Sequence, residues 1–168
     1  MIFVTVGTHE QQFNRLIKAV DDLVADETIK EEVIIQKGYS DYEPKHCKAY
    51  KLISYKEMQK YLDEARIIIT HGGPASFMAA LERNKTPIVM PRLKKYDEHV
   101  NDHQDYFSKE VEKRMKIIVV AHTKSDIREA IKNYSKSVNE QKGTRRLNAC
   151  FNKKLIASIN EMNTDIKK

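Results

Sequence analysis

The chain has 168 residues, of which 40% are hydrophobic and 32% charged, a composition typical of one globular domain with a sizeable core. Two cysteines, Cys47 and Cys150, are too few for a disulfide framework, and they predict a reducing, cytoplasmic setting. The N-terminus lacks the pattern of a signal peptide. No stretch reaches the roughly 18 apolar residues of a transmembrane helix, so we expect any membrane contact to be peripheral.

The net charge of +6 is unevenly distributed along the chain. Residues 1–108 hold 15 Lys and Arg against 17 Asp and Glu, whereas residues 109–168 hold 15 against 7. A basic C-terminal face for an anionic membrane surface or an acidic partner would explain this, as would a solvated, lysine-rich helix. We expect no nucleic-acid partner, because the basic region has neither interleaved aromatic residues nor a known binding motif.

Short apolar runs alternate with amphipathic segments along the chain. The runs predict buried strands at residues 1–6, 33–35, 67–69, 87–91 and 116–120, with a short strand near residues 50–53. Periodic apolar positions and start signals predict helices over residues 13–23, 54–65, 74–81, 100–107, 123–131 and 141–162. Ser54 and Glu57 fit a capping box at the start of the second of these helices. This alternation predicts an α/β fold with a doubly wound, mostly parallel, Rossmann-like sheet. We expect a single domain, with its core in residues 1–135 and a basic helix at about 140–163.

Residues 67–81 predict a strand, a tight glycine turn and a helix. Gly72 and Gly73 allow the turn, and Pro74 suits the first helical position, where a missing N–H costs nothing. The free N–H groups of such a helix start form a site for an anion such as phosphate, to which Ser76 could add a hydroxyl. Alternatively, the glycines merely close the turn, since their spacing matches neither common nucleotide motif, and His71 is an ordinary hydrogen-bonded loop residue.

Polar residues and glycines follow several of the predicted strands, at residues 7–10, 36–38, 70–76 and 91–99. Ligands of parallel α/β sheets bind beyond these carboxyl ends, so the pattern favours a ligand site there. His99 and His103 have a spacing that can hold a metal ion, but a third ligand and the glutamate of the zinc-protease motif are missing. We therefore predict no metal site.

An ordered set of motifs resembles the C-terminal, donor-binding domain of glycosyltransferase family 28. The set comprises Val-Thr-Val-Gly-Thr-His at 4–9, Gln36-x-Gly38, the helix end at Ala65-Arg66, Thr-His-Gly-Gly-x-x-Ser at 70–76, Pro87 to Arg92, and Asn-Asp-His-Gln at 101–104. Within the family, the chain resembles capsule and exopolysaccharide glycosyltransferase subunits, which are similar to the catalytic subunit of the dolichol-linked UDP-GlcNAc transferase. The resemblance implies one half of a two-domain GT-B enzyme.

The resemblance also implies a site for a UDP-sugar. The diphosphate would lie at His71, Gly72, Gly73 and Ser76, and the uracil at the backbone around Ser54 and Tyr55. The sugar or ribose would approach His103, Gln104 and Arg92. Gln36 and Gly38 belong to the same substrate-binding set, and Gly7, Thr8 and His9 would face the cleft between the two halves.

The resemblance implies inverting sugar transfer without a metal or other cofactor. His9 or Glu10 would serve as general base, unless the base lies on the other half. One departure is Ala79, where many relatives have a glutamate that binds the ribose, so His103 or Gln104 would have to take over that contact.

The function implied is that of a catalytic subunit moving a sugar from a UDP-sugar to a polyprenyl-diphosphate-linked sugar in capsule or exopolysaccharide synthesis. A membrane-anchored subunit would bind the lipid-linked acceptor and hold the chain at the inner face of the plasma membrane. A non-catalytic enhancer subunit of such an enzyme and a stand-alone nucleotide-binding module are the alternatives.

Overall fold

The structure, a computed structural model, describes residues 1–145 and residue 157, with side chains in the first range described as far as residue 139. Cys150 and most of the predicted C-terminal helix lie outside the described residues. In the described helices, no segment is long and apolar enough to cross a membrane.

Within residues 1–145, six parallel strands form one sheet. They are β1 (Ile2–Thr5), β2 (Val33–Gln36), β3 (Lys48–Tyr50), β4 (Ile67–His71), β5 (Ile88–Met90) and β6 (Val119–Val120). Their order is β3-β2-β1-β4-β5-β6, so the winding direction reverses between β1 and β4. In such sheets this reversal opens a crevice at the carboxyl ends of the strands. The predicted doubly wound, Rossmann-like fold is confirmed.

Helices cover both faces of the sheet. They are α1 (Asn14–Ala25), α2 (Tyr55–Glu64), α3 (Pro74–Leu81), α4 (His103–Met115), α5 (Lys124–Lys132) and α6 (Tyr134–Arg145). Successive strand residues point to opposite faces, so Val4 packs in one core cluster with α1 and α5, while Phe3 packs in another with α2. A third cluster joins Phe77 of α3 to Phe107 of α4.

The structure corrects the predicted start of α4. This helix begins at His103, and Val100, which the sequence places inside it, is 65% exposed in the preceding turn. Asp97 adopts a left-handed conformation (φ 56°), and the Asn101 side chain accepts the His103 backbone N–H. Both features belong to a loop that delays the helix.

Three other boundaries also differ from the prediction. Strand β6 starts at Val119, because Lys116 ends α4 in a left-handed conformation (φ 52°). Strand β3 lies at 48–50 rather than 50–53, since it pairs with β2 from Lys48 to Tyr50. Helix α6 begins at Tyr134, seven positions before the predicted helix, and Tyr134 anchors it by donating its hydroxyl to Thr86 O at 2.9 Å.

Candidate functional site

A cleft of about 410 Å³ lies at the point where the winding reverses, between α2 and α3. This volume is within the usual range for small-molecule sites, roughly 300–1,000 Å³. The lining residues are Thr5, Gly7, Thr8, Gln36, Tyr55, Met58, Gln59, Leu62, His71, Ala75, Ser76 and Ala79. Six of the predicted site residues are among them, namely Gly7, Thr8, Gln36, Tyr55, His71 and Ser76.

The cleft floor is fixed by hydrogen bonds between β1 and β2. The Thr5 hydroxyl donates to Gln36 Oε1 at 2.5 Å, and Gln36 Nε2 donates to Gly7 O at 3.0 Å. Gly7 has a φ of +76°, and Gly38 a φ of +56°, conformations that L side chains rarely adopt. A Cβ at Gly38 would also lie 2.7 Å from Gly7 O. Gly38 therefore allows the loop after β2 to pack closely against the loop after β1, which contains Gly7.

His71 lies between two glycines at the centre of the site. A Cβ at Gly7 would lie 2.6 Å from its Cε1, and a Cβ at Gly73 would lie 2.5 Å from its Nε2. Burial lowers the pKa of His71 to about 4, and the nearby Arg92 charge acts in the same direction. The imidazole is therefore neutral near pH 7, able to donate through one nitrogen and accept through the other.

The start of α3 faces the same cleft. Its N-cap is Gly73, which has no side chain to cap the helix, and Pro74 follows. Ala75 and Ser76 both line the cleft, and the Ser76 hydroxyl lies 3.5 Å from His71 Nε2. A helix N-terminus attracts anions through its backbone N–H groups and dipole. The start of α3, the Ser76 hydroxyl and the His71 imidazole therefore lie around the same small volume.

Arg92, which the family resemblance places near the sugar or ribose, is 0% exposed and is not among the described residues that line the cleft. Its guanidinium donates to four backbone carbonyls, those of Val6, Gln11, Gln12 and Glu98, at 2.8–3.0 Å. Burial lowers the pKa of Arg92 to about 10, so it remains charged at neutral pH. It holds the β1–α1 loop against the β5–α4 loop.

Glu98 strengthens this junction. Its carboxylate accepts two hydrogen bonds from Arg15, at 2.9 and 2.7 Å, and one from the Leu93 backbone N–H at 3.0 Å. Arg15 also donates to Pro91 O at 2.8 Å. The buried carboxylate is thus paired and hydrogen-bonded, as burial of a charge requires.

Gln104 and His103 lie beside the cleft rather than in its described lining. Gln104 Oε1 accepts the backbone N–H groups of Gly72, at 3.1 Å, and Arg92, at 3.2 Å. A Cβ at Gly72 would lie 2.9 Å from Gln104 Cβ, so this glycine allows α4 to approach the turn. The His103 ring stacks on Phe107 with centroids 6.1 Å apart.

His9 and His99 lie in ring contact on the loops after β1 and β5, with ring centroids 4.9 Å apart and the ring planes tilted by 40°. His9 Nδ1 accepts the Gln11 backbone N–H at 3.2 Å, and His99 Nδ1 accepts that of Asn101 at 3.4 Å. A neutral ring with such a bond carries its proton on Nε2. Burial lowers the pKa of His99, and the neighbouring His9 acts in the same direction. Glu10 is exposed next to this pair.

The N-terminal half of α2 forms the outer edge of the cleft. Ser54 caps the helix, and its reciprocal bonds with Glu57 confirm the predicted capping box; Tyr55, 80% exposed, lies at the rim. Met58, Gln59 and Leu62 also line the cleft, and none of them is among the predicted site residues. Their common helical face with Tyr55, at spacings of three and four residues, was the available signal.

In the described part of the chain, no group of three or more His, Cys, Asp or Glu side chains is placed to hold a metal ion. Cys47 is partly buried, and desolvation raises its pKa to about 12, which keeps the thiol protonated and unreactive near neutral pH.

Comparison with known proteins identifies the family. The model of the glycosyltransferase family 28 C-terminal domain matches residues 1–158. The chain belongs to this family. No curated protein matches it.

Solved glycosyltransferase structures share the fold. CalG4, the calicheamicin glycosyltransferase, is 16% identical with a TM-score of 0.61, over 99% of this chain and 39% of that one. The kitacinnamycin glycotransferase is 16% identical with a TM-score of 0.55, over 86% and 38%. SnogD from Streptomyces nogalater is 19% identical with a TM-score of 0.51, over 83% and 39%. The family 28 domain described here is one half of a GT-B fold, and it spans about two fifths of each of these chains.

Proposed function

We propose that this family 28 domain is the donor-binding, catalytic half of a two-component inverting glycosyltransferase. It would move a sugar from a UDP-sugar to a polyprenyl-diphosphate-linked sugar in capsule or exopolysaccharide synthesis. The observation that carries the proposal is the position of His71. Its neutral ring lies between two glycines, beside the uncapped start of α3, in the cleft where the sheet reverses its winding.

The start of α3 would hold the diphosphate of the donor. Its free backbone N–H groups and the Ser76 hydroxyl offer hydrogen-bond donors to phosphate oxygens, and the neutral His71 lies beside the Ser76 hydroxyl. These donors are fixed in place before the reaction, so they stabilise the charge that develops on departing UDP without reorganisation. The reaction is proposed to need no metal ion.

In the transfer step, an acceptor hydroxyl attacks the anomeric carbon while the bond from that carbon to UDP breaks. UDP leaves with the bonding electrons, and a general base takes the hydroxyl proton. Of the two candidate bases, Glu10 suits this role better. His9 Nδ1 already accepts the Gln11 N–H, so the other nitrogen of neutral His9 donates a hydrogen bond rather than accepting a proton.

A second, membrane-anchored chain would complete the enzyme and bring the lipid-linked acceptor to the inner face of the plasma membrane. The chain spans only 38–39% of the three glycosyltransferases compared. Exposed apolar side chains include Tyr55 at the rim of the cleft, Leu52 shortly before α2, and Tyr96 and Val100 on the β5–α4 loop. Co-purification with such a subunit would support the partnership, whereas full transfer activity from the isolated chain would contradict it.

The decisive experiment is a thermal unfolding series with UDP and with ADP, on the wild type and on His71→Gln. A ligand that binds only the folded state adds about 2.7 kcal/mol at a hundredfold excess over its Kd. We expect UDP to raise the melting temperature of the wild type more than ADP does, and the rise to be lost in His71→Gln. An equal rise with both nucleotides would contradict the uridine preference, and no rise would contradict donor binding by this chain.

A further inference from the structure

The wall of the cleft formed by α2 and α3 is mostly apolar. Met58 and Leu62 contribute from α2, and Ala75 and Ala79 from α3. In the described lining of this wall, polar groups come from Tyr55 at the rim, Ser76 at the start of α3, and Gln59. A mostly apolar wall with a few placed polar groups is the usual design of a small-molecule site, in which those groups determine specificity.

The Gln59 amide is held in a defined orientation by Arg83. Arg83 Nη2 donates to Gln59 Oε1, Nη1 donates to Ala79 O at 2.9 Å, and Nε donates to Asp63 Oδ1 at 2.6 Å. The guanidinium therefore joins α2 to the second turn of α3. Because Arg83 occupies the amide oxygen, the NH₂ group is the part of Gln59 that can serve a ligand in the cleft.

Arg83 thereby fixes the position of Gln59 along the axis of α3. Arg83 bonds both Gln59 and Ala79, and Ala79 is three residues beyond Ser76, about 4.5 Å further along the helix axis. In a nucleoside diphosphate whose phosphates lie at the start of α3, the next group along the molecule is the ribose. Ala79 presents only a methyl group at this level, which leaves space beside the Gln59 amide.

We propose that Gln59, held by Arg83, donates a hydrogen bond to the ribose 2′-hydroxyl of the bound nucleotide and makes the site selective for ribose over 2′-deoxyribose. Gln59 is the specificity residue, and Arg83 is a positioning residue that acts through it. The inference rests on the proposed donor-binding function. A deoxynucleotide would leave the partly buried amide without its partner, which is how hydrogen-bonding sites reject analogues that lack one hydroxyl.

The test measures the dissociation constants of UDP and 2′-deoxy-UDP by calorimetry on the wild type, Gln59→Leu and Arg83→Met. One hydrogen bond corresponds to a preference for UDP on the order of tenfold in the wild type. We expect Gln59→Leu, which keeps the volume, to bind the two nucleotides equally, chiefly by losing UDP affinity. Arg83→Met should reduce the preference, and Arg83→Lys should restore part of it. Lys60→Leu on the exposed side of α2 is the control.

The outcomes separate the two proposals. If the wild type binds UDP and His71→Gln does not, but Gln59→Leu keeps the wild-type preference, the role of Gln59 is overturned and donor binding stands. If the wild type lacks any preference between the two nucleotides, ribose recognition is overturned in the same way. If the wild type binds neither nucleotide, donor binding itself fails.

Discussion

Strands β4 and β5 are neighbours that end at the same edge of the sheet, yet the loops after them use polar groups in opposite ways. The turn at residues 71–76 leaves His71 and Ser76 in the lining of the cleft. The loop at residues 92–102 turns Arg92 and Glu98 inward, onto backbone carbonyls and Arg15. The longer loop buries more backbone polar groups, and these need partners. An arginine at the edge of a ligand site can therefore be part of the scaffold.

The largest expected effect follows from removing Arg92. In Arg92→Met, the carbonyls of Val6, Gln11 and Gln12 lose their shared donor, and the buried Glu98–Arg15 pair loses its neighbouring charge. We expect the free energy of unfolding to fall by about 3–5 kcal/mol, measured by urea denaturation. Arg92→Lys should recover part of it, and Lys113→Met on the exposed side of α4 is the control. A small stability change combined with lost UDP binding would place Arg92 in the site instead.

The second prediction concerns pH. The folded protein keeps His71 neutral down to a pKa of about 4, whereas in the unfolded chain it protonates near 6.5. Between these pH values the unfolded state binds more protons, so stability is greatest above pH 6.5 and falls as the pH drops towards 4. The loss should reach roughly 3 kcal/mol.

Urea denaturation of the wild type and His71→Gln across this pH range measures that loss. Carboxylates such as Asp21, whose pKa is lowered, weaken both proteins at low pH, so the difference between the two curves isolates His71. Parallel curves would show that His71 is accessible to protons in the folded protein, and thus that the turn is as open as a surface loop.

The third prediction tests the close packing around His71. Gly73 has a φ of −74°, which alanine adopts readily, so Gly73→Ala should act only through the collision with the imidazole. We expect a cost of about 1–3 kcal/mol. His71→Ala should remove most of that cost in the double variant, because the added methyl then has space. An additive double-mutant cycle would contradict the proposed contact.

The smallest expected effect on stability is that of Ser76→Ala. This hydroxyl faces the cleft, so its removal should change the free energy of unfolding by less than about 0.5 kcal/mol, while UDP affinity falls on the order of tenfold. Ser76→Ala should therefore lower mainly UDP affinity, whereas Arg92→Met should lower mainly the free energy of unfolding. Ser125→Ala on α5 is the matched control, and equal UDP affinity of both variants would exclude Ser76 from the site.

The sequence predicts the turn after β4 well because its signals are local. A β-branched strand, two glycines, a proline at the first helical position and an apolar helix lie within fifteen residues, and the structure has all of them. The parallel sheet is also predicted from local signals, namely the short runs of apolar residues that form its strands. The binding roles assigned to the turn remain predictions.

The sequence does not predict the contacts made by Arg92 or Gln59. The partners of Arg92 include Gln11 and Gln12, about eighty positions away, and the late start of α4 follows from the same packed loop. Gln59 becomes part of a site only when α2 packs beside α3 and Arg83 joins them. Such roles arise from tertiary packing, which periodicity does not encode.

The lengths of the outer strands limit how this domain can join another protein. Among the described strands, β3 at one edge has three residues and β6 at the other has two, and Lys48 of β3 forms an ion pair with Glu32. Edges this short present few unpaired N–H and C=O groups, so they are poor templates for another strand. A partner should therefore bind through side chains rather than by adding a strand, and the sheet should resist edge-to-edge polymerisation.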